Sequence, residues 1–262
     1  MSRARRANPE GRMPLRSHLV EARHRVFLAA IGVVVGAVVG WILYEPIFEA
    51  LQQPLADVSA ERGILATLNF SGVVTAVDMK VKVSLFLGVI VSSPWWLYQV
   101  WAFITPGLRS AERRYAIVFI GSGVPLFLLG AAAAWLALPR TVGILNEFVP
   151  DGSANLVDAG AYLGFVMRFV LAFGLVCLVP LIMVALTFLG VVPGGTWLAG
   201  WRWGVLFGFV FAAVMTPTPD VLSMFLVALP VVALYFVAVG VCLLHDRRAR
   251  RRAPVEHDVP AT

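Results

Sequence analysis

Val26-Phe27-Leu28-Ala29-Ala30-Ile31-Gly32-Val33-Val34-Val35-Gly36-Ala37-Val38-Val39-Gly40-Trp41-Ile42-Leu43 carries no charged side chain. As a helix rising 1.5 Å per residue it is about 27 Å long, close to the thickness of a bilayer's hydrocarbon core. Its basic flank resembles that of a cleaved leader, but the run exceeds a leader's apolar stretch of about 7–15 residues. Five further apolar runs follow, at 83–104, 115–138, 163–189, 203–215 and 221–244. The stretch therefore reads as the first of six membrane spans.

The composition agrees. Of 262 residues, 60% are apolar and only 14% are charged, against about 25% charged in an ordinary soluble domain. A soluble fold of this length has no way to hide so much apolar surface. That excludes a soluble enzyme, a secreted disulfide scaffold and a disordered chain, and the long unbroken runs argue against a β-barrel. The expected fold is an all-α integral membrane protein. It has a basic tail at 1–13, one six-span domain at 14–245 and a second basic tail at 246–262.

Charge placement orients the spans. The segments 1–25, 105–114, 190–202 and 245–262 share one side and hold 7, 3, 1 and 5 Lys/Arg residues, sixteen in all. The opposite loops, 44–79, 139–162 and 216–220, hold only Arg62 and Arg140. An excess of basic residues marks the cytoplasmic side, so both termini are expected inside. The terminal arginines read as contacts with anionic lipid. No recognisable motif points to nucleic acid.

Prolines at 94, 125, 180 and 230 fall inside four of the expected spans. Each removes a backbone hydrogen bond and tends to bend its helix, which favours a curved, cupped bundle. The fifth run is short, about 20 Å against a core near 30 Å, unless Trp197, Trp201 and Trp203 extend it. The cysteines, Cys177 and Cys242, lie in apolar runs and read as packing residues. The four histidines show no ligand spacing, so no metal site and no cofactor is expected.

Two carboxylates stand out. Ahead of the first span, Leu15, Leu19, Ala22 and Val26 form an apolar stripe that reads as an interfacial amphipathic helix. Glu21 lies in it, spaced for a local i,i+4 pair with Arg25. Glu112 lies in the first inner loop, near Arg109, Arg113 and Arg114. Glu21 and Glu112 are the only acids of the inner segments outside the terminal tails. Together they suit a cationic partner, best a guanidinium, which takes bidentate carboxylate contacts. From spacing alone the local pair is the favoured reading for Glu21, and periodicity does not show that the two carboxylates face one another.

His18-Leu19-Val20-Glu21-Ala22-Arg23-His24-Arg25 resembles the H-L-x-E-L-R-x-R opening of the TatC family, the receptor subunit of the twin-arginine translocase. Tyr98-Gln99-Val100-Trp101-Ala102-Phe103-Ile104-Thr105-Pro106-Gly107-Leu108, followed by Glu112-Arg113-Arg114, is similar to that family's Y-Q-x-W-x-F-x-x-P-G-L…E-R-R block. Ala161-Tyr162-Leu163, Ala172-Phe173-Gly174 and Thr216-Pro217-Thr218-Pro219-Asp220 resemble later signatures.

The resemblance implies a subunit of the bacterial or archaeal cytoplasmic membrane, not an enzyme. It implies that twin-arginine signal peptides of folded proteins bind at Glu21, Arg23, Phe103 and Glu112. Pro54, Thr216 and Asp220 take structural or partner-docking roles. The implied partners are single-span TatA- and TatB-type proteins near the fifth and sixth spans, further copies of the chain, and the bilayer itself. Transport draws on the proton-motive force. Against the family pattern, Leu178 stands for a glutamate, Met224 for a glutamine, Phe236 for a glutamate and Ala22 for a leucine. An added charge, Arg168, is expected to reach back to the outer surface. Two rivals remain at this point. One is a divergent paralogue without export activity. The other is a small-solute or ion transporter, for which the spans offer little beyond Ser84, Ser92, Ser93, Gln99 and Arg168.

Overall fold

The computed structural model describes residues 15–62, 66–70, 72, 74–104, 113–146, 155–215 and 221–252. Its helices are α1 (Leu15–Ile42), α2 (Tyr44–Arg62), α3 (Thr75–Val91), α4 (Ser93–Ile104), α5 (Arg113–Asn146), α6 (Ala159–Val176), α7 (Val179–Phe188), α8 (Gly194–Ala199), α9 (Trp201–Met215) and α10 (Val221–Arg252). Two short strands, β1 (Ala66–Asn69) and β2 (Asn155–Asp158), complete the described elements. The chain divides into two compact units, one up to Gly174 and one from Leu175.

Among the described residues four helical stretches are long and apolar enough to cross a membrane by themselves: His18–Ile42, Gly121–Gly143, Ala159–Phe188 and Val227–Ala249. The other two expected spans take different forms. The run 83–104 is divided into α3 and α4 at Ser92, two residues before Pro94. The fifth is α9, 15 residues long, or about 22 Å. Trp201 and Trp203 join it, but Trp197 belongs to α8, which ends at Gly200.

The prolines do not act alike. Pro94 and Pro180 sit in the first turns of α4 and α7, where the missing N–H has no partner to lose. Pro125 and Pro230 lie inside helices that run on past them. Only two of the four expected bends are therefore helix breaks.

The expected interfacial helix is not a separate element. Residues 15–42 form one unbroken helix, because no proline or glycine interrupts the chain before Gly32. Of the apolar stripe, Leu19 and Val26 are exposed and Ala22 is half-buried. His18 and Arg25 turn towards α4, whereas Arg23 and His24 are exposed.

In the first unit, α1 packs on α3 and α4 through a seam of small residues. A Cβ on Gly36 would meet the Gly88 carbonyl oxygen at 2.7 Å, and one on Gly40 would meet that of Ser84 at 2.5 Å. Gly32 lies directly beneath the Trp95 ring. Glycines four residues apart let two backbones touch, a common way for membrane helices to associate closely without a hydrophobic driving force. Trp95 Nε1 adds a hydrogen bond of 2.8 Å to the Leu28 carbonyl. Phe127 of α5 is fully buried, edge-on to Trp96 of α4.

The two long loops expected on the opposite side meet each other. β1 and β2 pair in parallel, Ala66 opposite Asn155 through Asn69 opposite Asp158. Asp158 then caps α6, its Oδ1 accepting a 2.7 Å hydrogen bond from the Ala161 N–H, the standard use of an N-cap aspartate. Lys80 of α3 lies over the rings of Trp41 and Tyr44, 4.7 and 5.3 Å from their centres.

In the second unit α10 packs against α7, α8 and α9 around Met183, Ala238 and Val239. Tyr235 donates a 2.7 Å hydrogen bond to the Trp197 carbonyl, and Trp197 Nε1 donates one of 3.0 Å to Thr187. α10 runs on to Arg252, into the basic tail, and Asp246 accepts a 2.7 Å bond from the Gly194 N–H.

Candidate functional site

His18, Glu21 and Arg25 fall at i, i+3 and i+7 of α1 and so share one face. Gln99 and Phe103, four residues apart, share a face of α4. The helices run antiparallel, so the two faces meet in order. Trp95 reaches Leu28, Gln99 meets Arg25, and Phe103 meets His18. Arg25 Nη1 donates to Gln99 Oε1 at 3.1 Å. Arg25 Nη2 lies 3.5 Å from Glu21 Oε1. The His18 and Phe103 rings stack with centroids 4.5 Å apart.

Burial grades across this cluster. The Gln99 residue is 2% exposed, while the Arg25 and Glu21 side chains are 28% and 24% exposed. Arg25 Nε is buried without a hydrogen-bond partner. Glu21 is thus an ionisable group at the edge of an apolar helix pair, and among the described residues its partner is Arg25 at 3.5 Å. A close charge-assisted bond is about 2.7–2.9 Å, and a carboxylate has some four acceptor positions. Among the described residues, most of the accepting capacity of Glu21 is therefore open to a further cation. The local pair with Arg25 and the capacity for a cationic ligand exist together.

The other expected site residues divide as follows. Phe103 lies in the cluster. Arg23 is exposed, two residues and about 200° around α1 from Glu21, and does not join it. Glu112, Thr216 and Asp220 lie outside the described residues. Pro54 is buried in α2 beside Leu51 and Leu55, beyond the far end of α1, about 32 Å of helix from Glu21. It is a packing position, apart from the cluster. Arg168 is exposed on α6, its Nε donating 2.8 Å to the Gly164 carbonyl. The side chain leans back towards the helix start and the β1–β2 loops, as expected of a charge reaching for the surface.

Gln99 and His18 are the members that no motif role singled out. Gln99 carried one signal: a lone amide in an apolar run, and polar groups inside a membrane protein are usually functional. Among the described residues the second unit supplies no comparable charged cluster. Its cavity of about 460 Å³ is lined by Val179, Met183, Trp197, Phe207, Leu234 and Tyr235 among others, all without charge. Among the described residues no cluster of His, Cys, Asp and Glu suits a metal ion.

The family described as Sec-independent protein translocase protein (TatC) matches residues 17–230. The TatC protein of Xylanimonas cellulosilytica is 56% identical over 241 residues, covering 92% of this chain and 87% of its own. That of Frankia casuarinae is 40% identical and covers 95% and 71%. A crystal structure of a twin-arginine translocase receptor, TatC, in DDM superposes with a TM-score of 0.74 at 28% identity, covering 86% of this chain and 99% of that one.

The chain belongs to the TatC family.

Membership makes it a multi-pass membrane component of twin-arginine, Sec-independent protein export. The small-solute transporter reading falls away, since the match runs through nearly the whole membrane domain. In the TatC frame Leu178 is buried at the break between α6 and α7, and Phe236 is exposed on α10. Both positions are thus apolar, as the sequence indicates.

Proposed function

We propose that this TatC-family chain is the receptor for twin-arginine signal peptides, with Glu21 and Glu112 taking the paired guanidinium groups and Phe103 packing beside them. The carrying observation is that Glu21, partly buried at the α1–α4 interface, already has a guanidinium against it. A carboxylate in this setting is complementary to arginine in charge and in planar geometry. Arg23 lies nearby on the exposed face of α1 and contacts the peptide flank or lipid. The energy source is the proton-motive force, and the chain catalyses no chemical step.

Both termini are cytoplasmic, with loops 44–79 and 139–162 outside. The charge asymmetry supports this, and so does the pairing of β1 with β2, which holds those two loops on one common side. Partners of the TatA and TatB type, each with a single span, gather at α9 and α10, and the chain assembles with further copies of itself. The 15-residue length of α9 supports docking there, since a short helix leaves a thinned patch that a short partner helix shares.

Photo-crosslinking of a twin-arginine peptide to the chain in vesicles tests the receptor role. A Glu21→Ala/Glu112→Ala protein that inserts normally is expected to lose most of the crosslink, and undiminished crosslinking rejects the assignment. Restored export of a folded reporter in cells lacking their own TatC separates an active subunit from a silent paralogue.

A further inference from the structure

The Glu21 carboxylate meets a guanidinium before any peptide arrives. Arg25 Nη2 stands 3.5 Å from Glu21 Oε1, Nη1 donates to Gln99, and Nε is buried without a partner. Arg25 is thus held by Gln99 and rests lightly on Glu21, at a distance longer than a strong charge-assisted bond. We infer that Arg25 is a resident competitor, an internal guanidinium that occupies Glu21 in the empty receptor and is displaced when a peptide arginine arrives. The inference rests on the receptor reading above.

Three features make Arg25 suited to yielding. Its contact with Glu21 is long, so little is lost when a peptide guanidinium makes shorter, bidentate bonds. It keeps the Gln99 acceptor when Glu21 turns away, so the displaced cation is not left bare. It also lies on α1 with Glu21, one turn on, so the exchange needs side-chain rotation and no helix movement. With Arg25 in place the Glu21 charge is balanced by a neighbouring cation, which lowers its pull on stray cations.

An internal ligand lowers the apparent affinity for every external ligand by the same factor, the fraction of receptors whose site is open. Arg25 therefore sets the strength of binding and leaves the ranking of peptides unchanged. Preference for arginine over lysine comes from the bidentate geometry of the acceptors.

The test is equilibrium binding to the full chain in vesicles, using a synthetic paired-arginine signal peptide and its paired-lysine counterpart. Arg25→Gln, which keeps a side chain able to bond Gln99, is expected to tighten both peptides by the same factor, about fivefold. The gain persists at about 1 M salt, where a general change in surface charge is screened to about 3 Å. Arg25→Lys, which keeps the charge without the fork, is expected to show a smaller gain and carries the test if Arg25→Gln does not accumulate. Unchanged or weaker binding in an inserted variant with an unaltered melting transition overturns the inference, as does a gain confined to low salt. Glu21→Gln separates the two levels. If it weakens the paired-arginine peptide while Arg25→Gln does not tighten it, the receptor stands and the competitor falls. If Glu21→Gln leaves binding intact, the competitor falls, and the Glu21→Ala/Glu112→Ala protein decides the receptor reading.

Discussion

Gln99 of α4 accepts a 3.1 Å hydrogen bond from Arg25 of α1, a polar link between two apolar helices at the end where His18 stacks on Phe103. The amide is almost fully withdrawn from the surface, so the cation it holds is anchored from the protein side. The Arg25 and Glu21 side chains stay partly exposed, at 28% and 24%. The interface thus positions a carboxylate as well as packing two helices.

Gln99→Leu preserves volume and removes the acceptor. Arg25 then keeps one long contact to Glu21, and losing a hydrogen bond to a charged group costs about 1.5–3 kcal/mol. The expected result is a lower melting temperature in detergent, with weaker peptide crosslinking. A melting temperature equal to that of the unaltered chain refutes the anchoring role.

Gly36→Leu introduces a Cβ 2.7 Å from the Gly88 carbonyl, a backbone atom that cannot rotate aside. Overpacking of a close seam costs about 1–3 kcal/mol or more, so this protein is expected to melt early or fail to accumulate. Gly121→Ala is the counterpart, since a Cβ there meets nothing within 4 Å. In a helix interior it is expected to be neutral or to stabilise by about 0.5–1 kcal/mol. Equal losses in both variants, read by thermal unfolding, refute the seam.

Asp158→Ala removes the cap on the Ala161 N–H at the point where β2 passes into α6. A lost N-cap costs about 1 kcal/mol. Limited proteolysis of loops 44–79 and 139–162 is expected to quicken, with the span helices still protected. Unchanged cleavage shows that the strand pair holds without the cap.

Four leucines inserted after Val210 lengthen α9 by about 6 Å. If its short length recruits the partner helix, crosslinking of the α9–α10 hairpin to a TatA- or TatB-type protein falls while insertion survives. Unchanged crosslinking leaves side-chain packing as the cause of docking.

Much of the helix inventory was legible because spans obey a length and a polarity rule that act locally. The breaks were less so. Pro94, Pro125, Pro180 and Pro230 look alike in the sequence, yet two open new helices and two are carried inside long ones. Proline's local effect is the same in each case, and the neighbouring packing decides whether the helix continues. The β1–β2 pair was hidden for a further reason: two four-residue segments carry no periodic signal, and their partners lie far apart in the chain.

The site divides along the same line. Glu21 and Arg25 are one helical turn apart, so their pairing was readable from spacing alone. Membrane insertion, the one-sided charge bias and family membership were likewise properties of the linear chain, set by composition and motif. The meeting of Arg25 with Gln99, of His18 with Phe103, and of Gly36 with Gly88 was decided only in three dimensions. Each joins residues on different helices, and that contact depends on how the backbones cross. The crossing is set by small residues that let them touch, a condition on both helices at once that neither helix's own sequence specifies.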